Sequence, residues 1–151
     1  MSSSSSARER PARRLLGRAL EALAREAPAH HALLREPLRR IALRCAIADE
    51  VVHLSVAGAR IRIAERPRGD APAAVEVRAE LRDAVALLDG ELTFVEAVRE
   101  GRVDLLGPPA ALLDAADAFA IFLHGLVRCS SAGALLDELR GAARSTRKDE
   151  T

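Results

Sequence analysis

Three segments in the first half of the chain alternate apolar and polar residues with the period of two that is typical of β-strands. They cover residues 41–48, 52–57 and 60–64. If residues 49–50 and 58–59 form the two turns, Cys45 lies opposite Leu54, and Leu54 lies opposite Ile63. Directly opposed residues of an antiparallel pair point to the same side of the sheet. This register therefore places the large apolar residues of all three strands on one face.

The rest of the chain supplies two more strands and the helices that must cover this face. Residues 75–81 alternate as a fourth strand, and residues 103–106 form a short fifth one. Residues 11–27 carry apolar positions at helical spacing, which predicts a first helix. Residues 110–127 form a last helix with more apolar surface than one contact with a sheet requires. Its surplus face is expected to meet another helix, another subunit or a ligand.

Local signals mark the ends of the elements between residues 84 and 109. Gly90 and Gly101 each follow a helix end, where the left-handed backbone conformation costs a glycine least. Thr93 and Glu96 have the spacing of a capping box at the start of a short helix. Pro108 breaks the chain after the fifth strand and opens the last helix.

This order of parts resembles the sterol carrier protein 2 (SCP2) family. The resemblance covers residues 38–127. The residues that carry it are Leu87, Leu88, Gly90, Ala97, Gly101, Arg102, Val103, Leu105 and Gly107. Pro108 stands where the family usually has Asp, so the turn departs from the family pattern there. The resemblance implies an α+β fold with a five-stranded, mainly antiparallel sheet. It also implies helices on one face of that sheet, with an apolar pocket or tunnel between them.

The chain of 151 residues is long enough for one core. We expect a disordered N-terminal segment over residues 1–10, a single SCP2-like domain over residues 11–143 and a charged flexible tail over residues 144–151. Residues 1–12 lack the apolar stretch of a signal peptide. The last helix is interrupted by Asp114, Asp117 and His124, which argues against a membrane span. A cytoplasmic protein is the simplest interpretation.

Charge is unevenly distributed, since the first 44 residues carry ten Arg against four Glu. The first helix is interpreted mainly as a helix on the domain's own core, and a membrane-surface or partner-docking helix is the alternative. Nucleic acid is not an expected partner, because no aromatic residues are interleaved with the basic ones. Contact with a membrane would be at most peripheral, through this first helix.

No catalytic or metal-binding pattern is visible in the sequence. His30 and His31 are adjacent and would point apart on a helix, so they cannot chelate a metal together. Cys45 and Cys129 are far apart and match neither a zinc site nor a disulfide framework. Cys45 falls on the apolar sheet face, where a small core residue fits better than a reactive thiol. We therefore expect no enzyme activity, no metal and no cofactor.

The resemblance implies a sterol, a fatty acyl chain or an isoprenoid lipid as the ligand. The residues expected to line the pocket are Leu54, Val56, Val77, Leu88, Phe94, Val98, Phe119, Phe122, Leu123 and Leu126. Bacterial relatives of this fold suggest an alternative, an accessory protein of quinone biosynthesis. In that case the last helix would be a surface for a protein partner or a second copy of the chain.

Overall fold

The structure is a computed structural model that describes residues 11–66 and 73–149. Its five strands are β1 (Ile41–Ile47), β2 (Glu50–Ala57), β3 (Arg60–Ala64), β4 (Ala73–Ala79) and β5 (Val103–Leu106). The described helices are α1 (Pro11–Glu26), α2 (Pro28–Arg39), α3 (Leu81–Leu88), α4 (Phe94–Arg99), α5 (Pro109–Val127) and α6 (Ala132–Asp149). The predicted segment 1–10 lies outside the described residues. Residues 144–149, which the sequence places in a tail, continue helix α6.

The strands form one sheet in the order β3-β2-β1-β4-β5, so β1 is the central strand. Three of the four strand pairs are antiparallel, and β1 and β4 are parallel. The expectation of an α+β fold with a five-stranded, mainly antiparallel sheet is confirmed. The parallel pair is a feature that alternation along the chain does not reveal, because periodicity is the same in both directions.

The two hairpins differ in how well the sequence predicted them. In the second, Leu54 pairs with Ile63, as expected, and Gly58 adopts a left-handed φ of 61° in the turn. In the first, Cys45 pairs with Val52 rather than Leu54, so the predicted register is wrong by two residues. A shift of two keeps every side chain on its face. The apolar face is therefore the same one that the alternation predicts.

Helix α2 keeps its helical conformation although it contains a proline. It runs from residue 28 to residue 39 with Pro37 inside it, near its C-terminal end. A proline removes one intrahelical hydrogen bond. Here Leu34 and Leu38, four residues apart on the same face, are both buried in the main core cluster. Their burial offsets the lost hydrogen bond, so tertiary packing decides the outcome.

The ends of two helices are held by carboxylates that are distant in sequence. The side chain of Glu50 accepts hydrogen bonds from the first backbone amides of α1, with 2.8 Å between Ala12 N and Oε2. Glu26 accepts a hydrogen bond from Ser130 N at 3.0 Å, just before α6 begins. In α4 the cap is local, since Thr93 Oγ1 accepts from Glu96 N at 3.1 Å. The predicted N-cap at Thr93 is confirmed.

The other face of the sheet is polar and is not covered by the described helices. Arg44 and Arg78 both donate hydrogen bonds to Glu76 there. Hydrogen bonding and the nearby guanidinium groups hold the pKa of Glu76 below its ordinary value. His53 lies on this same face opposite Arg44. Burial and the Arg44 charge lower the pKa of His53. The domain thus has one apolar and one solvated sheet face.

Candidate functional site: a loosely packed apolar layer

One end of the covered sheet face is closed by tight packing. Ile41 at the start of β1 and Val75 on β4 are almost completely buried. They belong to a cluster with Leu34 of α2 and with Ala111 and Ala115 of α5. Small alanines on α5 allow that helix to approach closely. This end of the layer therefore has no room for a ligand.

The centre of the same face is packed less tightly. Leu43 and Cys45 on β1 and Val77 on β4 pack against the core cluster, yet each keeps accessible surface. Val52 and Val75, on the strands at either side of β1 and on the same face, are each 1% exposed. We call the loosely packed part of the layer around these three residues, between β1, β4 and the helices, the gap.

Cys45 shows what kind of environment this gap is. Burial raises the pKa of its thiol to about 12, because a thiolate would be desolvated there. The residue nevertheless keeps accessible surface. The thiol therefore lies in a desolvated, apolar environment within the layer. At neutral pH the thiol is protonated, so it is a poor nucleophile and an apolar lining group.

Helix α5 forms the opposite wall of the gap. Phe122 and Leu126 are partly buried and contact two apolar clusters, the one on the sheet and the one formed by Leu15, Leu81 and Leu139. Because α5 is long, it passes over the centre of the sheet as well as over the closed end. Its larger side chains meet the loosely packed part of the layer.

An aromatic pair closes the layer beside α4. The ring centroids of Phe94 and Phe119 are 4.8 Å apart, and the rings are tilted by 31°. Both contact a third cluster that contains Ala97 and Val103, which are almost fully buried. Tilted rings at this distance are a favourable arrangement for two aromatic side chains. This pair therefore joins α4 to α5 beside the gap.

The ten predicted lining residues fall into two groups. Eight belong to or pack against the three apolar clusters that surround the gap: Leu54, Val56, Val77, Leu88, Phe94, Phe119, Phe122 and Leu126. The other two are in none of these clusters. Val98 is 38% exposed on α4, and Leu123 on α5 is partly buried.

Three residues that the sequence did not single out as lining also face the gap. Leu43, Cys45 and Leu105 alternate in phase with Leu54 and Val77 on the paired strands. The alternation in β1 already placed Leu43 and Cys45 on the apolar face. That signal was available, but nothing local distinguished a lining position from an ordinary core position.

Polar groups surround a cleft that is separate from the apolar layer. An open cleft of about 660 Å³ at the edge of the sheet contains three arginines and three carboxylates. These are Arg78, Arg82, Arg102, Glu80, Asp83 and Asp104. Asp83 is buried and accepts a hydrogen bond from Arg102 Nε at 2.7 Å, which fits a structural ion pair. Among the described residues no group of His, Cys, Asp and Glu is arranged to hold a metal ion.

By length and composition Pro109–Val127 would suffice to cross a membrane, and 22% of this stretch is buried inside the domain. In the fold this helix packs through Ala111, Ala115 and Ala118 against the main core cluster. A core helix of a globular domain satisfies the same criteria of length and hydropathy. The finding therefore gives little support to a membrane span.

Comparison with solved structures shows which known fold this chain shares. No family model matches the sequence, and no curated protein matches it. Among solved structures, a protein described as "UbiJ-SCP2 Ubiquinone synthesis protein" superimposes with a TM-score of 0.53 at 17% identity. The match covers 70% of this chain and 82% of that one. The chain has an SCP2-like fold. The resemblance of the sequence to the SCP2 family is thus confirmed at the level of the fold.

Two further SCP2-like structures are similar at a lower level. A conserved hypothetical protein from Thermus thermophilus, described as possibly a sterol carrier protein, has a TM-score of 0.44 at 21% identity. That match covers 66% of this chain and 76% of the other. Sterol Carrier Protein 2 Like 2 from Aedes aegypti has a TM-score of 0.39 at 16% identity, covering 64% and 95% of the two chains.

Proposed function

We propose that this SCP2-like domain is a non-catalytic lipid carrier that holds one apolar ligand between the sheet and α5. The observation that carries the proposal is the incomplete burial of Leu43, Cys45 and Val77, whose side chains belong to the covered face of the sheet. Their neighbours across the sheet are apolar, and Phe122 and Leu126 of α5 pack against the same cluster. A dry apolar space of this kind suits a hydrocarbon ligand better than a polar one.

The composition of the lining indicates the class of ligand. The walls are aliphatic apart from the Phe94–Phe119 pair and Phe122. Each methylene of a lipid buried there contributes about 0.8 kcal/mol, so a long chain needs few polar contacts. We propose a fatty acyl chain, a sterol or an isoprenoid lipid. No side chain on this wall is placed as an acid, a base or a nucleophile, which is why we propose carriage rather than chemistry. We place the protein in the cytoplasm.

The alternative function is an accessory protein whose α5 helix forms the surface for a partner. It is favoured by the exposure of Leu113 and Val127 on the outer side of this helix. These positions are not needed for the packing of the domain. In this alternative the gap would be a packing defect without a ligand.

A matched pair of substitutions tests whether the gap holds a ligand. Cys45→Phe fills the proposed space from the central strand, whereas Val75→Phe adds a larger side chain at a closed position on the same face. Overpacking of a closed core costs typically 1–3 kcal/mol, so Val75→Phe should lower the free energy of unfolding by about that amount. Cys45→Phe should leave stability close to that of the wild type and abolish binding of a fluorescent fatty acid.

Thermal melts with and without ligand provide the second readout. At a hundredfold excess over the dissociation constant, a ligand stabilises the fold by about 2.7 kcal/mol. The wild type should show this shift with at least one fatty acid, sterol or quinone, and Cys45→Phe should not. If no such compound shifts the wild type, or if Cys45→Phe destabilises as strongly as Val75→Phe, the carrier proposal is wrong.

A further inference from the structure

The outer side of α5 carries an apolar stripe, of which Leu113, Ala120 and Val127 are exposed. The stripe, which we call the outer seam, consists of Leu113, Ala116, Ala120, Leu123 and Val127. Successive members are three, four, three and four residues apart, which is the spacing of a helix that pairs with another helix. Leu113 is 70% exposed and Val127 is 83% exposed. Ala120 between them is also exposed.

The outer seam is not required for the fold of the monomer. The opposite side of α5 supplies the contacts with the domain, through Ala111, Ala115, Ala118 and Gly125. Large side chains at Leu113 and Val127 are therefore placed in water at both ends of one stripe. Contiguous exposed apolar surface of this kind marks an interaction site.

The charges beside the seam have opposite signs at the two ends of the helix. On one flank, Asp114 and Asp117 lie in the first half, whereas His124 and Arg128 lie at the C-terminal end. Arg40 holds Asp114 in an ion pair with 3.0 Å between Nη2 and Oδ1. Asp117 is exposed and remains the carboxylate of this flank that can face a partner.

This distribution of charge favours a second copy of the chain as the partner. It also favours an antiparallel arrangement of the two helices. In an antiparallel pair of identical helices the same flank of each helix meets the other. A pairing centred on Ala120 brings Asp117 next to His124 of the second copy and Leu113 opposite Val127. A parallel pairing would instead bring opposite flanks together, so Asp117 and His124 would not meet. A membrane surface would favour a basic flank, and two carboxylates oppose it.

We propose that the outer seam of α5 is the interface of an antiparallel homodimer with its two-fold axis at Ala120. The small side chain at the axis lets the two helices approach closely, and the larger residues at the ends bury one another. The proposal does not depend on a ligand in the gap, because that gap lies on the other side of the helix. It deepens the alternative function by committing to a second copy as the partner.

Single cysteines at the seam test the register directly. Under mild oxidation, Ala120→Cys should form a covalent dimer, because its two copies meet at the axis. Leu113→Cys alone and Val127→Cys alone should not, but an equal mixture of the two should cross-link. The exposed Val95→Cys on α4 is the control and should stay monomeric. The native Cys129 is buried, so the wild type should also remain uncrosslinked. Cross-linking of Leu113→Cys with itself would overturn the antiparallel arrangement.

A charge exchange tests the proposed contact between the flanks. By analytical ultracentrifugation, His124→Asp should raise the dimer dissociation constant several-fold, because it faces Asp117 of the other copy. Adding Asp117→Arg to the same chain should restore dimerisation. Ala120→Arg should give a monomer with an unchanged melting temperature when dilute.

Three results would overturn the dimer. The first is a wild type that stays monomeric at the highest concentration measured. The second is a dimer that survives Ala120→Arg. The third is a monomer that binds vesicles of phosphatidylglycerol and phosphatidylcholine through the seam, since the occupant would then be a lipid surface.

Discussion

The C-terminal half of α5 meets the rest of the domain in different ways on its two sides. Gly125 lies so close to α1 and α2 that a Cβ placed on it would clash with Leu23 Cδ2. Leu23 itself has no exposed surface. Over the centre of the sheet, Phe122 and Leu126 remain partly accessible. One helix thus combines a close contact that fixes its position with a loose contact that leaves space.

The comparison explains how a small domain can be stable and still keep a gap. The tight contact among α1, α2 and α5 uses glycine and alanine, so backbones approach closely and little volume is left. The loose contact uses branched and aromatic side chains that do not interlock completely. Interiors are normally close-packed, so loose packing in one layer must be offset by tight packing elsewhere. Function is expected on the loose side, where a ligand can restore the missing contacts.

Replacing one leucine by alanine on each side of α5 should give the largest difference in the free energy of unfolding. Leu23→Ala removes a fully buried side chain from the tight contact and should cost about 3–5 kcal/mol, near the upper part of the range for such changes. Leu126→Ala removes a side chain that is only partly buried and should cost about 2 kcal/mol, at the lower end of that range. Urea unfolding of both variants gives the values. Equal losses would show that the two sides are packed equally well.

Glycine substitutions should give the next largest change in the free energy of unfolding. Gly125→Ala places a methyl group against Leu23 and within 2.9 Å of His30 Cβ, so it should destabilise by about 1–3 kcal/mol. Gly141→Ala is the control in α6, where an added Cβ meets nothing within 4 Å. That change should stabilise by about 0.5–1 kcal/mol through helix propensity.

The combination with Leu23→Ala sharpens the test of the close contact. Removing Leu23 makes room for the new methyl group, so the double variant should be more stable than the sum of the two single effects. A coupling above about 0.5 kcal/mol is expected for residues in direct contact. Additive effects would mean that contact with Leu23 is not what makes a side chain at position 125 unfavourable.

The smallest effect concerns Glu26 at the end of α1, beside the tight contact. Hydrogen bonds from the side chains of Ser130 and Ser131 hold the pKa of Glu26 below its ordinary value of 4.5. A carboxylate with a lowered pKa contributes stability above its unfolded pKa, and this contribution is lost as pH falls through the folded pKa. Glu26→Gln should therefore lower the melting temperature slightly at pH 7, with the difference shrinking below about pH 4.5. A difference that stays constant down to pH 3 would show that the charge does not matter.

The sequence alone determined the features that depend on neighbouring residues. The turn at Gly58 and the alternation around it determined the β2–β3 register, because a two-residue turn with a glycine leaves one pairing. The cap at Thr93 and the helix ends at Gly90 and Gly101 were readable for the same reason. The apolar face was also readable, since a register shift of two residues does not change it.

The tertiary structure decided the features that depend on distant residues. Ala48 takes a left-handed φ of 55° in the first hairpin, a conformation that alanine does not favour. Its amide donates to Ala79 O at 3.1 Å, so the parallel pairing of β1 with β4 helps to hold this turn. The accessibility of Cys45 and the burial of Gly125 likewise follow from how α5 lies on the sheet and on α1 and α2. Such contacts join residues that are far apart in the chain, and local periodicity contains no information about their distance.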